Sequence, residues 1–427
     1  MAIISGSIGS TKTTSPKVVI PFYLYAALSF LVATVLLFTS GEAFLGHYFH
    51  SQILAITHIM ALGWGTMIIL GASHQLVPVV VEGRLYSERL AYLSFSLTAI
   101  GIPLLAYSFY IFDMGHLAKW GGRFVLLGIL CYLINLAVSI SKGKSENVHA
   151  IFVLSSVAWL FITAFLGLVL VYSFTYPTLL KHNTLHYLPL HVHAGIVGWF
   201  LLLVIGVGSR LIPMFLISKY QNKRLLWLVF FLINVGILLY FFKFYYLKNP
   251  WITFLPVALI LTAILLFAVY CLKAYGQRIR KQVDDQMKMS LLSVVMMVIP
   301  VIILMGIIGF IMLFKGENLP LTLAYGFLIF FGWLTAIILG MTFKTLPFVV
   351  WNKVYHHQSA SGKTPNPKDL FSQSLFRLMS VAYLAGVFTF VTGILLTSLI
   401  WIQFGAALLI IASASYSINV LSVVNRK

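Results

Sequence analysis

The sequence predicts an all-α integral membrane protein: twelve transmembrane helices in three four-helix arcs, related by a pseudo-threefold axis along the membrane normal. Three observations carry this prediction. Apolar residues make up 61% of the 427, only 9% are charged, and mean hydropathy is +1.00. Soluble domains carry about 25% charged residues, so this composition suits a lipid solvent. Twelve runs are long and apolar enough to span a bilayer, near residues 18–40, 53–80, 90–112, 121–140, 149–175, 187–217, 224–246, 250–272, 289–314, 319–350, 375–396 and 399–422. The third observation is an internal repeat carried by spans two, six and ten.

Residues 1–17, MAIISGSIGSTKTTSPK, are polar and lack the charged start, apolar core and cleavage site of a secretory signal. They read as a disordered cytoplasmic N-terminus, followed by a single membrane domain over 18–422. With both termini cytoplasmic, the outside loops hold six basic residues: Lys119, Arg123, Lys181, Lys243, Lys248 and Lys315. The other 22 of the 28 Lys and Arg fall inside. This positive-inside bias predicts a multi-pass protein of a bacterial-type inner membrane. The inner loop with Lys273, Arg278, Arg280, Lys281 and Lys288 reads as an anchor beside anionic lipid. The formal charge of +19 therefore points to a lipid bilayer as partner and not to nucleic acid. Cys131 and Cys271 lie in separate apolar spans, without a Cys-x-x-Cys or Cys-x-x-Cys-His. That spacing supports neither covalent haem attachment nor a zinc ribbon.

The repeat is GW-x6-G-x6-P. It occurs at Gly63-Trp64, Gly71 and Pro78, at Gly198-Trp199, Gly206 and Pro213, and at Gly332-Trp333, Gly340 and Pro347. The chain's own composition would give on the order of 0.001 chance copies. The tryptophans are 135 and 134 residues apart, which divides the chain into units of about 18–140, 149–272 and 289–422. Units of four spans share one orientation, hence the axis along the normal. Crevices between such arcs are where membrane bundles place cofactors.

Six residues before the Trp stand His58, His193 and Phe327, and eight before it stand Ile56, His191 and Tyr325. A desolvated imidazole is costly, so a histidine inside a span is a functional candidate. The orientation places His58, His191 and His193 in the outer third of the membrane. His58 and His193 are equivalent by the repeat, and two neutral imidazoles from facing helices can fill both axial positions of a haem iron. Imidazole also suits copper or zinc, and a hydrogen-bonded packing role stays open for each. His191 and His193 project about 200° apart on one helix. They serve two neighbouring crevices, or one serves a site while the other packs. His182 and His186 lie in the outer loop as solvated residues or, for His186, a metal or propionate contact. His47 and His50 read as solvated. His74 is roughly 24 Å along the axis from His58 and reads as a satisfied interface residue, and His356-His357 as a solvated inner loop.

HIMALGWGTMIILGASHQLVP, residues 58–78, resembles the second helix of subunit I in the haem-copper oxidase and nitric oxide reductase superfamily, whose histidine binds a low-spin haem. LHVHAGIVGWFLLLVIGVGSRLIP, residues 190–213, is similar to members carrying an HxH pair and to the NnrS family, twelve-span haem and copper proteins linked to nitric oxide. The resemblance implies the three-arc fold and haem, with His191 as a ligand of either a second haem or copper. Departures bear on activity. The HxH pair of respiratory members is on span ten, which here reads LAYGFLIFFGW, with Tyr325 and Phe327. Their copper draws on span six and on a His-His pair of span seven, and span seven here, LLWLVFFLINVGILLYFF, has no histidine. Only His58 transfers directly.

All nine acids fall at helix ends or in loops, which disfavours proton pumping through buried carboxylates. The preferred expectation is a haem-binding inner-membrane protein that binds or responds to a diatomic gas, NO or O2, or transfers electrons with a cytochrome or other oxidase subunits as partners. Alternatives are a divergent terminal oxidase or nitric oxide reductase catalytic subunit, an oxidoreductase, and a cofactor-free transporter on the same scaffold.

Overall fold

The computed structural model describes residues 14–143, 147–279, 281–355 and 364–426. Twelve of its helices are long and apolar enough to cross a membrane: α1 (Pro16–Thr39), α2 (Ser51–Val80), α3 (Glu88–Tyr110), α4 (His116–Ser141), α5 (Val148–Thr175), α6 (Thr184–Leu216), α7 (Lys223–Tyr246), α8 (Pro250–Gly276), α9 (Asp285–Phe314), α10 (Leu319–Val354), α11 (Gln373–Leu395) and α12 (Leu399–Val424). Among the described residues there is no strand. Of the N-terminal segment 1–17, residues 1–13 lie outside the described residues. Its end is ordered: Thr14 donates to the His74 carbonyl, Ser15 N–H donates to Glu88, and Pro16 opens α1.

Polar caps start the spans. Ser87, Asn147, Asn183, Asn222, Asp284, Asn318 and Ser372 each accept a backbone N–H of the first turn. They satisfy donors that lipid cannot. Asn135 on α4 also clasps the Ser87 N–H and carbonyl, and Asn419 on α12 does the same to Ser372, 284 residues later. The first and third units thus share a polar clamp.

The repeat glycines are close-approach points. A Cβ on Gly71 would lie 2.6 Å from Phe22 Cβ on α1, on Gly206 2.4 Å from Phe152 Cβ on α5, and on Gly340 2.3 Å from Ser290 Oγ on α9. In each unit the second helix meets the first where only glycine fits, the device by which apolar helices pack without a hydrophobic driving force. The patterned helices α2, α6 and α10 form the centre, with 67%, 67% and 78% of their spans buried, against 22–56% for the other nine. Around them the remaining helices pack in chain order, with α12 returning to α1.

Each central helix loosens at the same place. π-helical turns run over Ile59–Thr66, Ala194–Leu201 and Leu328–Leu334, starting directly after His58, His193 and Phe327. π-turns are rare and cluster at functional sites. Five residues into each comes the Trp. Trp64 Nε1–H donates to Thr335 Oγ1 (3.0 Å) and Trp199 Nε1–H to Thr66 Oγ1 (3.1 Å). Each indole therefore reaches the residue two beyond the Trp of another unit, which ties the three central helices around the axis.

Candidate functional site

A threefold axis dictates who meets whom at the outer end of these helices. Equivalent residues on neighbouring units point the same way around the axis, so neither faces the other. Each faces a different position on the next unit. His58, six before its Trp, meets His191, eight before the next Trp, with ring centres 6.3 Å apart and planes at 15°. His193 meets Tyr325 by the same rule, at 6.3 Å and 28°. The third slot would match Phe327 with Ile56, and there Phe327 stacks on Phe331 and Phe390 instead. The sequence expectation that His58 and His193 share one iron is corrected here: the residue brought to His58 is His191. Equal depth along the normal was readable from the repeat, but direction around the axis was not.

Hydrogen bonds fix the state of this pair. His58 Nδ1 lies 2.8 Å from the Leu54 carbonyl and His191 Nδ1 3.0 Å from the Thr163 carbonyl. A carbonyl only accepts, so in the neutral rings each Nδ1 carries the proton and each Nε2 presents a lone pair. Among the described residues neither Nε2 has a hydrogen-bond partner. Two part-buried acceptors thus share one crevice, with no donor to either among the described residues. Nitrogen–metal bonds of about 2.0–2.1 Å, with each ring centre roughly 1.1 Å behind its nitrogen, put two imidazoles on one metal at about 6.3 Å between centres. The observed separation is the same.

The walls are apolar. His58 packs on Phe109 of α3 at 4.5 Å between ring centres. A satellite cluster of Ala55, Leu105, Phe109, Met114, Ala118 and Val171, from α2 to α5, lies beside it, separate from the main core. Gly167 on α5 makes room for His191: a Cβ there would come 2.7 Å from Cε1. Cations stand next to Ala118. Lys119 Nζ lies 5.4 Å and 5.2 Å from the ring centres of Tyr172 and Tyr176, and Arg123 lies over Trp120 at 4.6 Å and donates to the Tyr172 hydroxyl. Sequence reading counted these two only as outside charges. Their signal was position, four residues apart at the outer end of a span.

The remaining candidates go elsewhere. His193 holds the Pro189 carbonyl through Nδ1 (2.8 Å), so the Tyr325 hydroxyl donates to its Nε2 (3.3 Å), and the Tyr240 ring lies 5.3 Å away. His186 is exposed, with its ring beside His182 and Phe244, and is not brought to the other three. His47 and His50 are exposed, and His47 lies 3.8 Å from Glu317. Next to Glu317, burial first and that carboxylate second push the Tyr48 hydroxyl above the ordinary tyrosine range. His74 is buried between Phe22 and Tyr132, but among the described residues its ring makes no hydrogen bond of normal geometry, unlike the satisfied residue expected. Lys344 at the inner end of α10 pairs with Asp284. His356-His357 lies outside the described residues. Among the described residues no three or more His, Cys, Asp or Glu gather as a metal site.

Among solved structures the chain is similar to a haem-copper terminal oxidase dimer determined by cryo-EM, with a TM-score of 0.65 and 12% identity over 96% of this chain and 84% of that one. No family profile matches the sequence, and no curated protein matches it. At 12% identity what is shared is the fold. The expected class stands: an all-α, multi-pass membrane protein of twelve helices, with the architecture of that haem-copper terminal oxidase.

Proposed function

We propose that this protein binds one haem between His58 and His191, in the outer half of a bacterial-type inner membrane, and transfers electrons through it. The observation that carries this reading is the pair of rings with centres 6.3 Å apart, each holding a carbonyl through Nδ1 and leaving its Nε2 free of a donor among the described residues. The residues fit the group: His58 and His191 would hold it through neutral imidazoles, the satellite cluster would give it an apolar wall, and Lys119 and Arg123, next to that cluster, would meet its anionic substituents. Bound haem iron supplies reversible one-electron exchange. The Leu54 and Thr163 carbonyls hold each Nδ1–H, which orients the rings and raises their basicity toward a metal. Phe109 and the satellite cluster keep water away. His58 and His191 would both be engaged in holding the group, which favours electron exchange over gas binding. Electron transfer is therefore the better-supported branch, with another cytochrome or oxidase subunit as partner. The positive-inside charge bias supports cytoplasmic termini, which turns the crevice outward.

The test uses purified protein in detergent. Reduced-minus-oxidised spectra and iron analysis are recorded for wild type, His58→Ala, His191→Ala and His193→Ala. A sharp low-spin band should appear in wild type, disappear in the first two variants and persist in the third. Wild type without iron, or a low-spin band that survives His191→Ala, rejects the reading.

A further inference from the structure

The seam between the second and third units opens twice. Toward the outer side lies a cavity of roughly 150 Å³, lined by His193, Leu201, Tyr325 and Trp333 among others. The buried Trp333 Nε1–H has no acceptor among the described residues, because Leu201 stands where Thr66 and Thr335 accept the other two indoles. The described lining of this cavity holds no Lys, Arg, Asp or Glu. Toward the inner side α8 and α9 part again, around a crevice of roughly 840 Å³. That one is charged.

The lining of the inner crevice is sorted by depth. Lys281, Gln282 and Lys288 stand near the inner ends of the two helices, and Leu272, Leu292 and Val295 lie further in. From Lys288 to Val295 the helix descends seven residues, about 10 Å along its axis. Leu272 and Val295 are 68% and 62% exposed, so the apolar part is open sideways to lipid. The polar end carries an excess of positive charge. Lys281 has no acid partner among the described residues, and Lys288 shares Asp285 with Arg377, at 3.0 Å and 3.5 Å. Asp284, the next acid, pairs with Lys344. A second, independent feature lies at the same end. Arg278 stacks 3.8 Å from the ring centre of Tyr275, which lines the crevice. Its Nε–H is buried and has no acceptor among the described residues, and an unpaired buried donor is costly.

We propose that this crevice holds one anionic phospholipid of the inner leaflet, with its phosphate at Lys281 and Lys288 and its chains along Leu272, Leu292 and Val295. Cations at one end of an apolar slot that opens to the bilayer match a molecule with an anionic head and hydrocarbon chains. Attraction of a basic loop to an anionic surface depends on how many charges the loop carries, whereas occupation of a crevice depends on where they stand. The proposal is independent of haem at His58 and His191.

Detergent-purified, delipidated protein is titrated with phosphatidylglycerol, and the adducts are counted by native mass spectrometry. Wild type should take up one lipid saturably, and phosphatidylcholine with the same chains about ten-fold more weakly, as expected for a charge-assisted contact. The double variant Lys281→Gln/Lys288→Gln should lose about ten-fold in affinity for phosphatidylglycerol. Lys223→Gln/Arg224→Gln removes the same charge from another inner loop and should bind as wild type does. Leu292→Trp narrows the apolar part while leaving both lysines in place, and it should weaken binding too. Thermal melts without lipid that match wild type exclude unfolding as the cause. Inorganic phosphate should not displace the lipid, which separates a phospholipid site from one for a free anion. The proposal is overturned by no saturable adduct, by equal affinity for phosphatidylcholine, by equal losses in the two double variants, or by displacement with phosphate. None of these readouts involves the haem band, so the two readings fail separately.

Discussion

Gly167→Ala tests the histidine pair without touching either histidine. The added Cβ would sit 2.7 Å from His191 Cε1 and 3.2 Å from its Nδ1. Ordinary contact begins at 3.4 Å, so the ring or helix α5 must give way by about 0.7 Å. Ligand distances at a metal tolerate only about 0.2 Å. A shift of that size also strains the 3.0 Å bond between Nδ1 and the Thr163 carbonyl that orients the ring. Loss of such an orienting contact typically costs about 10–100-fold in metal affinity. The general packing penalty, about 1–3 kcal/mol, is modest for a bundle of this size. Gly167→Ala should therefore fold, show a melting temperature lowered by a few degrees at most, and lose most of the low-spin band while iron occupancy falls. The assay is the reduced-minus-oxidised spectrum of the variant at matched protein concentration. A full-strength, unshifted low-spin band in a folded Gly167→Ala protein would refute the placement of His191 as a ligand.

Three further outcomes follow from the packing. Thr66→Val keeps the shape but removes the acceptor of Trp199 Nε1–H; it should destabilise by about 1–3 kcal/mol, read as a lowered melting temperature in detergent. Gly206→Ala puts a Cβ 2.4 Å from Phe152 Cβ and should cost about 1–3 kcal/mol or more, whereas Gly306→Ala, with nothing within 4 Å, should leave the melt unchanged or raised. His186→Ala, at an exposed position, should leave iron content and spectrum as in wild type, and a lost band would bring the outer loop into the site.

What could be read from the sequence follows from which forces act locally. Hydropathy is set residue by residue, so twelve spans were visible. The repeat was visible because close helix crossings demand glycine, as at Gly71, Gly206 and Gly340, and such demands recur at fixed intervals. Depth was visible too, because position along a helix is counted in residues. Direction around the axis was not, since it depends on how whole helices rotate against one another. That is why His58 was assigned the wrong partner ring. The π-turns at Ile59, Ala194 and Leu328 were not foreseen, although each contains the Gly-Trp of the repeat at the same place. The ion pair of Lys344 with Asp284 joins residues 60 apart and could not be inferred from spacing. One signal was missed outright: Thr66, Leu201 and Thr335 occupy the same repeat position, and the odd one out marks the open indole.

A threefold scaffold hands the chain three outer slots with matched backbones, and two side chains per slot decide the chemistry. His58 with His191 gives two lone pairs and a place for a metal. His193 with Tyr325 gives a proton donor satisfied by an acceptor, and so a neutral polar patch beside a cavity. At the third, Phe327 closes into a stack with Phe331 and Phe390. Here the break in the indole ring, at Leu201 and Trp333, falls in the same seam as Tyr325, whose counterparts are Ile56 and His191, and both line one cavity. Two symmetry breaks therefore meet in one space, and they set the cavity at Trp333 apart from the crevice at His58 and His191 within a single bundle.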